Sequence, residues 1–152
     1  MRPLALSACI GQSESVEVDF AQLRDDGTVD ARLGPEWPIF NEALADSISS
    51  LPPRGSAEKH LSTYWIDKTL ERLRGLQQRN VEGRIASGNA YGIVFSSAGI
   101  SAVFDYGDED TTETMDLGDF TDLLERWRAR VIEVQQHEER EVPETYRRNP
   151  WP

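Results

Sequence analysis

Cysteine is almost missing from this chain: Cys9 is the only one in 152 residues, and His60 and His137 are the only histidines. One thiol cannot close an intrachain disulfide or build a multi-cysteine zinc site. His137-Glu138-Glu139-Arg140-Glu141 lacks the second imidazole that a zinc-protease helix needs four residues on. Also missing are a Gly-x-Ser-x-Gly elbow, a phosphate loop ending in Lys-Ser or Lys-Thr, and a Gly-x-Gly-x-x-Gly turn. Cys9, without a neighbouring histidine or basic helix start, reads as a small buried residue or an inert thiol. Serine, cysteine and nucleotide-dependent chemistry therefore have no sequence signature, and no cofactor is expected. No apolar run approaches the roughly 20 residues that span a bilayer. Lysine is scarce too, because only Lys59 and Lys68 among 16 bases are lysine, a bias that fits a GC-rich coding sequence.

What is present is acid and enough apolar residue to fold. Asp and Glu number 27 against 16 Lys and Arg, a net charge of -11, so phosphate backbones and anionic membranes are repelled. Neither nucleic acid nor membrane is expected as a partner. Hydrophobic residues make up 38% and include four Trp, which suits one domain with a single core. The reading is one domain over residues 1–141 and a proline-containing tail over 142–152.

Leu6-Ser7-Ala8-Cys9 matches a lipoprotein cleavage pattern, but only Met1 to Ala5 precede it, too few for the apolar stretch of a signal. A short first strand or packed arm is the reading taken, and a cytoplasmic location follows from it.

Ser15 to Phe20 alternates polar and apolar, placing Val16, Val18 and Phe20 on one face of a strand. Pro35 can open a helix to about Ser50, with Trp37, Phe40, Leu44, Ile48 and Leu51 as its stripe. Ser56 is a suitable N-cap for a second helix to about Gln78, with Leu61, Tyr64, Trp65, Leu70, Leu73 and Leu76 apolar. Beyond Gly88 the period becomes two. Tyr91 to Phe95 and Ile100 to Tyr106 read as a hairpin, and Thr112 to Met115 as a further strand. Asp116 or Asp119 can then cap a helix whose inner side is Phe120, Leu123, Leu124, Trp127, Val131 and Val134. The predicted class is α+β: a mostly antiparallel sheet of about four strands, formed by Val16 to Phe20 and the three later strands, covered on one face by three helices. Trp37, Trp65 and Trp127 are expected in the core.

The acidity is uneven. From Ser101 to Leu124 the chain carries Asp105, Asp108, Glu109, Asp110, Glu113, Asp116, Asp119 and Asp122 without one base. Asp105 to Asp116 has the length of an EF-hand loop, but Gly107 stands at its third position, Asp110 at its sixth and Asp116 at its twelfth, so the calcium pattern fails. A turn and a helix start account for some of these acids. The remainder repel one another with no folding benefit, and a dense negative surface attracts a basic protein and raises its association rate.

The order of a helix, the strand Asn89-Ala-Tyr91-Gly-Ile-Val-Phe95, the strand Ser101-Ala-Val-Phe-Asp-Tyr106, then Glu113-Thr-Met-Asp-Leu-Gly-Asp-Phe120 leading into Leu123-Leu124-Glu-Arg-Trp127 resembles the small α+β immunity proteins of bacterial polymorphic-toxin and contact-dependent inhibition systems. Gly34-Pro35-Glu36-Trp37-Pro38-Ile39-Phe40 is similar to a segment of the same group. The resemblance covers roughly residues 27–134 and has no catalytic motif to transfer. It implies a non-enzymatic protein that occludes a cognate toxin domain, of a kind that often acts on nucleic acid. The physical reading of the charge adds Asp105, Asp108, Glu109, Asp110, Glu113 and Asp116 as the residues facing that toxin's basic cleft, with Tyr146 and Trp151 as candidate aromatic anchors. A non-catalytic scaffold or adaptor, and a carboxylate-dependent enzyme assembled only in three dimensions, are the alternatives.

Overall fold

A computed structural model describes residues 16–22, 27–56, 61–108 and 111–141. Its elements run β1 (Val18–Gln22), β2 (Val29–Leu33), α1 (Pro38–Ser47), α2 (Tyr64–Arg79), β3 (Gly83–Ser87), β4 (Tyr91–Ser96), β5 (Gly99–Phe104), β6 (Thr112–Met115) and α3 (Leu117–Glu141). The fold is α+β, as expected from the sequence, but its strands are divided differently. A four-stranded antiparallel meander in the order β3-β4-β5-β6 stands apart from a two-stranded antiparallel ribbon, β1-β2. The first predicted strand therefore pairs with Val29–Leu33 and takes no part in the main sheet.

The meander's inner face buries Ile93, Ile100, Ala102 and Met115, with Ile85 and Ala86 from β3. In β3 the register shifts between Arg84 and Ala86, so two successive residues point inward where strict alternation would send one out. On the outer face stand Val94, Ser101, Val103, Thr112 and Thr114, with Ser101 Oγ and Thr114 Oγ1 2.8 Å apart across β5 and β6. α1 lies across the inner face, touching all four strands and β2. α2 packs on β3 and on α3, while α3 covers the ribbon and reaches β5. The three helices cover the sheet unequally, α1 lying across it, α2 on its β3 edge and α3 chiefly on the ribbon.

Each helix boundary has a local cause. α1 starts at Pro38 because Trp37 N–H donates to Gly34 O at 3.1 Å, closing a turn over the residues first expected to be helical. α2 starts at Tyr64, well past Ser56, because Leu61 and Ser62 are buried and Ser62 N–H donates to Ser50 O at 2.7 Å, holding this stretch out of the helix. It ends at Asn80, whose φ of 55° and ψ of 48° fall in the left-handed region that Asn tolerates. All six apolar residues expected along α3 are buried. Trp127 is 1% exposed and its Nε1 donates to Val29 O at 2.7 Å, tying α3 to the ribbon. Trp37 and Trp65 are only partly buried against this core, less than their predicted place in it.

Candidate partner-binding surface

The chain folds its acidic segment into three separate neighbourhoods. Asp105 follows β5 and meets Arg84, which reaches over from β3. Arg84 Nη1 lies 3.3 Å from Asp105 Oδ2 and 3.3 Å from Ser87 Oγ, and Nη2 donates to Asp105 Oδ1. The guanidinium passes over Gly92 of β4, where a Cβ would overlap it. The hydrogen bond from Arg84 holds the Asp105 carboxyl below its ordinary range, and the same bond raises Arg84 further above its own. Asp105 is therefore already matched with a base.

Asp108 is exposed in the same turn, and its carbonyl accepts Thr111 N–H at 3.1 Å and Thr111 Oγ1–H at 2.6 Å. Glu109 and Asp110 lie outside the described residues. Glu113 sits on the helix-facing side of β6, opposite Ala102, and its Oε1 accepts Phe40 N–H at 2.9 Å. Asp116 precedes α3, and its Oδ2 accepts Gly118 N–H at 2.9 Å and Asp119 N–H at 3.4 Å, the work of an N-cap. Of the six proposed contact residues, then, Asp105 and Asp108 share a turn, whereas Glu113 and Asp116 serve the starts of α1 and α3.

The third neighbourhood is the first turns of α3. The Asp119 carboxyl is pushed above its ordinary value first by burial and then by the charges of Asp116 and Asp122. Asp122 in turn meets Arg126 Nη1 at 3.5 Å. Carboxylates are crowded here despite the favourable helix end.

Three features of the surface were not foreseen from the sequence. Arg84 is the base that neutralises Asp105, and its sequence distance of 21 residues hid the pairing. Tyr106, read as a strand end, is 78% exposed. Between α2 and α3 lies an open groove of about 680 Å³, floored by Leu70, Ala129 and Ile132 and rimmed by Asp67, Glu71, Arg74, Glu125 and Arg128. Arg128 Nε bridges it to Asp67 Oδ1 at 2.6 Å. The aromatic anchors expected at Tyr146 and Trp151 lie outside the described residues.

Among the described residues no group of three or more His, Cys, Asp or Glu side chains could hold a metal ion, and no helix is long and apolar enough to cross a membrane. His60 and Cys9 lie outside the described residues, and His137 is exposed on α3. The chain matches no known protein family, no curated protein and no solved structure.

Proposed function

We propose that this chain is an immunity protein of a bacterial toxin system, binding a cognate toxin domain and covering its basic cleft. The observation that carries the reading is the placement of the acidic run, which leaves Asp108 exposed in the turn before β6 and gathers Asp116, Asp119 and Asp122 at the start of α3, where the two neighbours add to the burial that raises the Asp119 carboxyl. Arg126 and the N–H groups at the start of α3 offset part of the repulsion among these carboxylates, and a docked cationic surface would offset more of it. The electrostatic contact then extends beyond the six acids first named to Asp119 and Asp122, with Asp108, Glu109 and Asp110 kept among them. Asp105, Glu113, Asp116 and Asp122 also have internal partners, and through these they hold the surface in shape.

The test is co-expression with the product of the neighbouring reading frame. A toxin that stops growth alone and is silenced by this chain, through a complex of nanomolar affinity whose association slows as salt rises, supports the reading. A neighbouring product that neither binds nor is inhibited overturns it and leaves the adaptor alternative. Replacing Asp108, Asp119 and Asp122 together by Asn should slow association by about tenfold or more at low salt if the acids steer docking.

A further inference from the structure

Large apolar residues at the described surface are few: Leu51 is 36% exposed, Tyr64 42% and Val81 45%, while Tyr106 reaches 78%. An aromatic ring that exposed gains almost nothing for folding, yet the backbone beneath it is held from several directions. Asp105 N–H donates to Ala90 O at 2.7 Å and Gly107 N–H to Phe104 O at 3.1 Å. The Tyr106 ring stands edge-on to Phe104 at 5.9 Å, and Phe104 leans on Tyr91 at 5.0 Å. Arg84 fastens Asp105, the preceding residue, to β3. A rigidly mounted tyrosine with few rotatable bonds loses little entropy when it is covered, which is why such residues anchor protein interfaces.

We propose that Tyr106 is the anchor through which this chain docks a cationic protein surface, its ring stacking on an arginine guanidinium. The inference rests on the reading above for the class of partner and adds the contact itself. Asp105 is neutralised by Arg84, so the specific attraction at this turn comes from the face of the ring, and the net charge of -11 draws a cationic partner towards it. A second copy of the chain fits this site poorly, because it would bring acid against acid in a molecule of net charge -11.

The experiment titrates isotope-labelled protein with heptaarginine and heptalysine peptides at about 0.1 M salt, where surface charge effects are partly screened, and follows the Tyr106 ring and the Gly107 and Asp108 amides by NMR. Heptaarginine is expected to move these signals and to bind more tightly than heptalysine. Tyr106→Ser should weaken it by about three- to tenfold and Tyr106→Phe should preserve it. Unchanged affinity in Tyr106→Ser, or shifts centred on α3 with Tyr106 unmoved, would overturn the proposal. Exposure of the ring makes both variants foldable, and an unchanged thermal midpoint checks this. No toxin enters this measurement, so its outcome is separate from that of the co-expression test.

Discussion

The Glu113 carboxylate on β6 accepts the amide proton of Phe40, 73 residues earlier, at the first turn of α1. That helix has no side-chain cap of its own: Trp37 occupies the cap position and Pro38, following it, brings no N–H. Glu113 supplies the missing acceptor from another element, with its negative charge at the positive end of the helix. Glu113→Ala should lower stability by about 1–2 kcal/mol in urea unfolding, and Glu113→Gln by less than half of that, since the amide oxygen can still accept. Equal losses for the two variants would mean that charge, rather than the hydrogen bond, carries the effect.

Two aspartates give opposite dependences on pH. At Asp46 burial alone would raise the carboxyl, but N–H groups of Ala90, Tyr91 and Asn89 outweigh it and hold the group below its ordinary 3.8. A folded value below the unfolded one means stability that is present above about pH 4 and lost as pH falls through the lower folded value. Asp119 is the reverse, since its folded value lies above 3.8. The native state then holds the extra proton between the two values, and stability from this group declines as pH rises through that window. Asp46→Asn should therefore be destabilised at pH 7 by about 1–2 kcal/mol, with the gap closing below about pH 3. Asp119→Asn should be modestly stabilised at pH 7, by under about 1 kcal/mol, and indistinguishable from the parent below about pH 4. Urea midpoints measured across pH 3 to 8 on the assumption of two-state unfolding separate the two signs.

Gly99 and Gly92 sit on neighbouring strands but should tolerate a methyl group very differently. Gly99 has φ of 125°, and a Cβ there would lie 2.5 Å from the backbone oxygen of Met115. Neither the strain nor the backbone clash can relax by a side-chain rotation, so Gly99→Ala should lose about 2 kcal/mol or more. At Gly92 the obstacle is the mobile end of Arg84. Gly92→Ala should displace the guanidinium from Asp105 and lose at most about 1 kcal/mol, and nothing in an Arg84→Ala background. A double-mutant cycle by thermal unfolding measures the coupling. An equal loss at Gly92 in both backgrounds would show that the strand itself, and not Arg84, refuses the methyl group.

Trp127 joins parts of the chain 98 residues apart through its bond to Val29 O. Trp127→Phe leaves that buried carbonyl without its donor and a gap beside it, for a loss of about 2–4 kcal/mol. Chemical unfolding gives the number. A loss under about 1 kcal/mol would show that the ribbon relaxes to satisfy Val29 by other means.

α3 was fully legible because six apolar residues recur on one face and every one of them is buried. β3 was not, since the irregularity at Arg84 and Ala86 breaks the alternation and Gly83 and Ala86 are weak strand formers. β2 carried a signal in Val29, Ala31 and Leu33, all buried and alternating with Asp30 and Arg32, but no strand is assigned there from sequence. Among the acids, counting located the charge but not its bonds. Asp105 is matched by a base 21 residues upstream and Glu113 by an amide 73 residues upstream, and neither distance has a periodicity that sequence could display. Tyr106 reads as the end of a strand, whereas the turn that lifts it out depends on hydrogen bonds to Ala90 and within the turn itself.

The tie between Val29 and Trp127 also sets a schedule on the ribosome. The β1-β2 ribbon emerges early, and its anchoring indole is polymerised 98 residues afterwards. At roughly 5–20 residues per second that interval is about 5–20 s. During it, the nascent ribbon must wait with Val29, Ala31 and Leu33 uncovered by α3, inviting chaperone contact until the last helix clears the exit tunnel.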